Sequence, residues 1–214
     1  MFKVRGKEYA PCRIFCIGCN YAEHIRELGS RDSDQCVIFM KPYTSLVKPG
    51  MDIILPRNAG EMHHELELVV LIGKQGNDIS EEEAPEYIAG LSLGLDLTLR
   101  DVQSRLKKSG HPWELCKAFE QSAPVGEFVP FDVSMDLTNI RMICKVNEET
   151  RQNGNTKNMI FPVKRLIEIL SCFFNDTAGA EIYTGTPEGV GPVLPGDAVS
   201  IESPDIGRFS WNFV

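Results

Sequence analysis

The sequence predicts an α+β fold, on three observations. Short apolar or alternating runs of strand length recur from end to end. Helical stripes are few and short. The two kinds do not alternate regularly, as a doubly wound parallel sheet requires. The chain has 214 residues, enough for one sizeable core. No internal repeat, low-complexity block or linker divides it, so residues 1–214 are expected to form one domain.

Taken in order, residues 13–17 are apolar and read as a strand ended by Gly18. A short helix follows from about Asn20 to Leu28, with Asn20 as expected N-cap, Glu23 three residues on as in a capping box, and Gly29 as the stop. Tyr21, Ile25 and Leu28 form its apolar stripe, while His24 and Glu27 share another face. Residues 30–35 are polar and read as a mobile loop. Residues 36–40 and 52–55 read as strands halted by Lys41-Pro42 and Pro56.

The centre of the chain is Met62-His63-His64-Glu65-Leu66-Glu67-Leu68-Val69-Val70-Leu71-Ile72. Read as one strand, it puts Glu65 and Glu67 on one face with Val69 and Leu71, and Leu66, Leu68 and Val70 on the other. Both faces are expected to be buried, as in a central strand. Ser80 with Glu83 suggests a helix start, although Pro85 falls in its second turn. Residues 90–99 alternate, with leucines at 91, 93, 95, 97 and 99 and Ser92, Gly94, Asp96 and Thr98 opposite. Helices are expected over 101–108, ending at Gly110, and over 162–174, where Val163, Leu166, Ile167 and Leu170 make the best stripe in the chain. Between them, residues 140–146, an Asn147-Glu148 turn and a short strand make a hairpin. Residues 182–184 lead into a Gly/Pro loop over 185–192, and a hairpin through Pro195-Gly196-Asp197 closes the chain.

A composition of 43% hydrophobic and 24% charged residues is ordinary for a soluble globular protein. The net charge of −8 argues against a non-specific nucleic-acid binder and an anionic-membrane binder. No apolar run is long enough to span a bilayer. The first residues read as folded sequence rather than a signal or transit segment. Seven cysteines at irregular spacings suit free thiols, so a cytoplasmic location is expected. Cys12, Cys16 and Cys19 have a C-x3-C-x2-C spacing, but cluster ligation needs thiolates converging from a loop, and an apolar strand does not supply that.

Two adjacent buried carboxylates repel each other and lose hydration unless a cation neutralises them. Adding Asp96 gives three carboxylates, Glu65, Glu67 and Asp96, an all-oxygen set for Mg2+ or Mn2+. The competing set, His63 with Glu65 and Glu67, would tilt towards Zn2+ or Fe2+. His24 and Glu27 are either a base with its orienting carboxylate or a solvated i,i+3 pair. Lys117 either stabilises an oxyanion or is a surface lysine lying along apolar neighbours. The loop over 185–191 either presents N–H groups to a carboxylate or is a plain turn.

These stretches occur together in one family. Ile17-Gly18-Cys19-Asn20-Tyr21-Ala22-Glu23-His24, Phe39-Met40-Lys41-Pro42, His63-His64-Glu65-Leu66-Glu67-Leu68, Leu95-Asp96-Leu97-Thr98-Leu99-Arg100-Asp101-Val102-Gln103, Lys117-Ala118-Phe119 and Thr184-Gly185-Thr186-Pro187-Glu188-Gly189-Val190-Gly191 stand in family order. The chain resembles the fumarylacetoacetate hydrolase family, in its compact acylpyruvase-like branch. The resemblance implies a mixed β-sandwich roll, usually a homodimer, with Mg2+ or Mn2+ on Glu65, Glu67 and Asp96. It implies a lid carrying His24 and Glu27 as a water-activating dyad, Lys117 at the oxyanion, and Arg100, Gln103 and Thr186 against substrate. The family often has arginine where this chain has Cys19, which bears on substrate preference and lid closure. The implied substrates are small 2-oxo acids with a second carbonyl. The expected reaction is hydrolysis of acylpyruvates such as acetylpyruvate and fumarylpyruvate to release pyruvate. The alternatives are oxaloacetate decarboxylation, keto–enol tautomerisation or 2-hydroxydienoate isomerisation on the same site. A catalytically idle 2-oxo-acid-binding protein is a further alternative.

Overall fold

The computed structural model describes residues 1–29, 35–56, 60–175 and 177–214. Residues 30–34 of the loop expected to be mobile lie outside them. The α+β expectation holds. Two larger sheets carry the architecture, and the helices are few and short.

The first sheet has six strands in the order Val129–Pro130, Ile88–Leu95, Leu66–Ile72, Glu181–Tyr183, Ile14–Gly18, Val37–Lys41. Its neighbours are antiparallel except Glu181–Tyr183 against Ile14–Gly18. The second has five, ordered Glu149–Asn155, Arg141–Val146, Ala198–Ser203, Gly207–Phe213, Asp52–Ile53. Leu66–Ile72 is central, and every one of its residues is buried, which accounts for its continuous apolar character. Leu66, Leu68, Val70 and Ile72 belong to the main core with Met142, Cys144, Val199, Ile201 and Trp211 of the five-stranded sheet. Val69 and Leu71 belong to a second cluster with Ile14, Cys16 and Tyr183, under Val4 and Tyr9 of the N-terminal hairpin. That hairpin, Phe2–Val4 with Lys7–Tyr9, has no clear strand signal in the sequence.

Both long runs of the sequence reading break. Residues 62–72 split at Glu65 into Met62–His64 and Leu66–Ile72, and the run read over 90–99 splits at Asp96 and Leu97 into Ile88–Leu95, which starts two residues earlier, and Thr98–Leu99. The two short pieces leave the large sheet together. They form a three-stranded sheet with Gly191–Pro192. At the break the backbones still meet, the Asp96 N–H donating to the Glu65 carbonyl at 2.8 Å. Uniform alternation along 90–99 does not describe the burial either, because both faces are covered.

The helices follow their stripes. Val163–Phe173 buries Val163, Leu166, Ile167 and Leu170. Arg100–Ser109 stops at Gly110, whose φ of 66° is the left-handed conformation that ends a helix. The first helix is Ala22–Glu27, and Asn20 does not cap it. Its side chain instead donates to the Thr184 and Phe161 carbonyls at 2.7 and 3.1 Å and accepts from the Phe161 N–H at 2.7 Å. Ser80 and Glu83 do exchange capping-box hydrogen bonds, but only a 3-10 turn, Ala84–Tyr87, follows, as Pro85 requires. Among the described residues no helix is long and apolar enough to cross a membrane. All seven cysteines are free thiols.

Candidate metal and 2-oxo-acid site

The strand breaks at Glu65 and Asp96 are what build the site. Where the two central strands part from the large sheet, Glu65, Glu67 and Asp96 converge, offering oxygens that all lie within 4.8 Å of one another. All three residues are buried. The donor set is entirely carboxylate, which suits a hard divalent cation rather than zinc or copper. Among the described residues Asp96 Oδ1 is buried without a hydrogen bond: Lys41 Nζ stands 2.9 Å from it as an ion pair but outside hydrogen-bonding geometry. An oxygen left in that state fits a site built to hold a metal ion. His63 is not part of this group. Its Nε2 pairs with Glu61 at 2.9 Å and its Nδ1 accepts from Arg100 at 3.4 Å, so the nitrogen-containing alternative is not assembled.

Lys117 is deeply buried, not lying along the surface. The short helix Glu114–Lys117 delivers its ammonium to Glu65 Oε2 at 2.7 Å, Asp96 Oδ2 at 2.5 Å and Thr98 Oγ1 at 2.6 Å. Burial alone would lower its pKa, but Asp96 and Glu65 outweigh burial and raise it, so it stays charged. Arg100 pairs with Glu65 Oε1 and donates to Gln103 Oε1 at 2.7 Å. The acids respond unequally. Burial pushes Glu65 up, but Lys117 and Arg100 hold it well below the usual carboxylate range. Glu67 is pushed well above that range by burial and by the charges of Asp96 and Glu65. The Gly185 N–H donates to Glu67 Oε2 at 2.7 Å, so the Gly/Pro loop does present backbone donors here.

His24 lines the same pocket as the acids, together with Lys117, Arg100, Gln103 and Thr186. The space, counted with its mouth, is about 360 Å³. Glu27 lies behind His24, its Oε2 3.2 Å from Nδ1, and its carboxylate also accepts from the Gly189 N–H at 3.1 Å. Burial lowers the His24 pKa, and Glu65 and Glu27 oppose that only in part. His24 is therefore a neutral imidazole near pH 7, able to take a proton. Cys19, in the left-handed region at φ 58°, sits at the pocket wall.

Apart from His63, the nine candidate site residues named from the sequence gather in one place: eight line the pocket, and Glu27 reaches it through His24. Three others were missed. Lys41 is buried, donating to the Leu97 carbonyl at 3.2 Å and to the Lys117 carbonyl. A lysine closing an apolar strand was a usable signal. Thr98 and Gln152 carried none, because each acquires its role from residues distant in sequence.

Residues 13–214 match the family described as "Fumarylacetoacetate (FAA) hydrolase C-terminal". The chain is 43% identical over 195 residues to the oxaloacetate tautomerase YcgM of Escherichia coli (strain K12), covering 91% of this chain and 89% of that one. It is 44% identical over 186 residues to the mitochondrial oxaloacetate tautomerase FAHD1 of Bos taurus, covering 87% and 84%. The crystal structure of fumarylpyruvate hydrolase from Pseudomonas aeruginosa in complex with Mn2+ and pyruvate superposes with a TM-score of 0.93 at 35% identity, covering 100% of this chain and 94% of that one. With its strands broken at the two acid positions and its sequence matched from residue 13 to its last residue, the chain belongs to the fumarylacetoacetate hydrolase family.

Proposed function

We propose that the protein acts on oxaloacetate and related small 2-oxo acids, with keto–enol proton transfer as its principal reaction. The observation that carries this reading is one buried pocket holding a neutral, carboxylate-oriented imidazole, a charged lysine and a three-carboxylate metal site. Relatives over 40% identical that bear the name oxaloacetate tautomerase, among them those of Escherichia coli and Bos taurus, support it. A Mg2+ or Mn2+ ion held by Glu65, Glu67 and Asp96 would supply Lewis-acid stabilisation of the enolate oxygen. Neutral His24, held by Glu27, removes a proton from C3 of the keto acid and returns it in the reverse direction. The Lys117 ammonium offsets the negative charge that develops on the 2-oxo oxygen, and that oxygen takes the proton back from His24 to complete the enol. Arg100, Gln103 and Thr186 orient the substrate carboxylate, and apolar walls such as Ile17 and Phe39 exclude water. The same electron sink serves oxaloacetate decarboxylation, in which the C3–C4 pair enters the enolate, carbon dioxide leaves and C3 is reprotonated.

The second reading is hydrolysis of acylpyruvates, with His24 deprotonating a water that attacks the distal carbonyl. The observation favouring it is open space beyond the pocket, between Cys19, Leu28, Lys107, Lys108 and Trp113, wide enough for an acyl chain. Purified protein tested on keto- and enol-oxaloacetate, acetylpyruvate and fumarylpyruvate, with Mg2+, with Mn2+ and with chelator, separates these readings. Metal-dependent equilibration of enol-oxaloacetate with slower cleavage of the others is expected. Rapid acetylpyruvate cleavage with no tautomerisation would replace the first reading by the second, and metal binding without turnover would leave a binding protein. A homodimer in a reducing cytoplasmic compartment completes the proposal. The exposed apolar side chains Met40, Leu115 and Phe173 and the seven free thiols support it, and light scattering tests the dimer.

A further inference from the structure

Gln152 lies on Glu149–Asn155, an outer strand of the five-stranded sheet, yet its side chain is fully buried against the site. A primary amide offers one oxygen able to accept twice and one nitrogen able to donate twice. All four capacities are filled. Oε1 accepts from the Leu66 N–H at 2.9 Å and from His64 Nδ1 at 3.0 Å. Nε2 donates to Thr186 Oγ1 at 2.8 Å and to the Pro187 carbonyl at 2.9 Å. The orientation of the amide is not a free choice. The Leu66 N–H can only donate and the Pro187 carbonyl can only accept, so oxygen must face the first and nitrogen the second.

Two consequences follow. His64 must carry its proton on Nδ1. Thr186 Oγ1 must accept from Gln152, so its own proton has to point elsewhere. The Pro187 carbonyl, 3.5 Å from Thr186 Oγ1, is too distant for an ordinary O–H···O bond. Thr186 is itself buried and lines the pocket beside Glu67, Lys117 and His24. Its hydroxyl is thereby prepared as a donor into the pocket, where an oxygen of a bound substrate can accept it. The Leu66 N–H that Gln152 fixes lies between Glu65 and Glu67, so one side chain holds both the backbone of the acid pair and the hydroxyl opposite.

We infer that Gln152 is a positioning residue that presets the Thr186 hydroxyl as a hydrogen-bond donor to an anionic oxygen of a bound 2-oxo acid. The inference rests on the 2-oxo-acid reading of the pocket. Gln152→Glu, compared across pH, is the discriminating variant: it keeps the shape and both accepted hydrogen bonds, but in its ionised form no oxygen of it can donate to Thr186. The threonine proton then turns towards residue 152 and away from substrate.

The test uses the full chain supplied with Mn2+, with oxalate as a planar, non-reacting dianion. It measures the Kd of Mn2+ alone, the Kd of oxalate by calorimetry, and kcat and KM with oxaloacetate, for wild type, Gln152→Glu, Thr186→Val and the double variant. Each single variant is expected to weaken oxalate binding and raise KM roughly tenfold, the scale of one hydrogen bond to a charged group. Mn2+ affinity should stay within about twofold in both, and the double variant should be no worse than Thr186→Val, because residues acting through one bond are non-additive. Additive losses, or a loss of Mn2+ affinity matching the loss of oxalate affinity, would overturn the inference. Should Gln152→Glu not fold, Thr186→Ser against Thr186→Val decides: serine retaining oxalate affinity and valine losing it supports a preset donor, and valine binding as wild type refutes it. Wild type that neither binds oxalate nor acts on oxaloacetate refutes the 2-oxo-acid reading itself, and the inference with it. Normal wild-type behaviour with an unaffected Gln152→Glu refutes the inference alone.

Discussion

Lys117 and a divalent cation are alternative positive charges for the same oxygens, and removing the lysine tests whether the site is built that way. The Lys117 ammonium is shared by Glu65 and Asp96 at 2.7 and 2.5 Å, all three groups being buried. Lys117→Met keeps the length of the side chain and deletes the charge. Breaking a buried pair by removing one partner costs about 3–5 kcal/mol. Arg100 still faces Glu65 and Lys41 still faces Asp96, so the low end, about 3 kcal/mol, is expected. For a chain of this size that lowers Tm by roughly 6–12 °C in the presence of chelator. Metal should restore much of the loss. Any ligand at a hundredfold its Kd stabilises by about 2.7 kcal/mol, and the variant, freed of a competing cation, should bind Mn2+ more tightly than wild type. Calorimetric melts of both proteins with chelator and with Mn2+ measure the difference. A variant whose Tm rises with Mn2+ no more than wild type would refute the view that ammonium and metal share the three carboxylates. Turnover should fall in the variant even when metal is bound, since the charge at the developing oxyanion is gone.

Four further outcomes are expected. His24→Ala should lower kcat by roughly 10²–10⁴ while leaving Mn2+ affinity intact. In wild type the acid limb of kcat/KM should fall below the ordinary histidine value of 6.5, because burial depresses the His24 pKa and activity persists until pH drops through the lowered value; a limb above 6.5 would be incompatible with that base. Asn20→Ala leaves the Phe161 N–H and the Thr184 and Phe161 carbonyls without their partner, costing about 2–4 kcal/mol in urea unfolding and disturbing the loop that carries Thr186; a loss under about 0.5 kcal/mol would contradict its anchoring role. Glu181 is fully buried with neither carboxylate oxygen hydrogen-bonded among the described residues, and burial raises its pKa well above 4.5. Its folded form binds the proton that the unfolded chain releases, so stability present below pH 4.5 is lost at about 1.4 kcal/mol per pH unit as pH rises towards the folded value. Glu181→Met should remove that slope, giving a Tm gain that grows from pH 5 to pH 8; a gain independent of pH would show that Glu181 ionises without penalty.

Period and punctuation located much of this molecule in advance. The apolar run at 66–72, the stripe of Val163, Leu166, Ile167 and Leu170, and the glycine stop at 110 each follow from local rules: alternation, helical spacing, and a left-handed residue that only glycine takes without cost. The short strands Leu46–Val47, Ala123–Pro124 and Gly191–Pro192 could not be read in this way. Each has only two residues, and a pairing that brief is set by what lies across from it. Asn20 shows the same limit at one side chain. A cap is a local geometry that residue type suggests, whereas binding Phe161 and Thr184 requires chain segments more than 140 residues away to arrive first.

The sequence by itself located the three acids and the candidate histidine, and their order along the chain. Buried glutamates within an apolar strand are costly enough to announce a compensating charge, and the family motifs placed His24, Glu27, Lys117, Arg100, Gln103 and Thr186 around them. Only the tertiary structure decided that the two central strands break at Glu65 and Asp96, that His63 turns away to Glu61, and that Lys117 enters between the carboxylates. It alone decided that an amide from the opposite sheet directs a threonine hydroxyl. A sequence fixes which groups a chain carries and which face of an element they occupy. Which groups share a desolvated space depends on non-local packing, and in that space charge and hydrogen-bond direction acquire their chemical meaning.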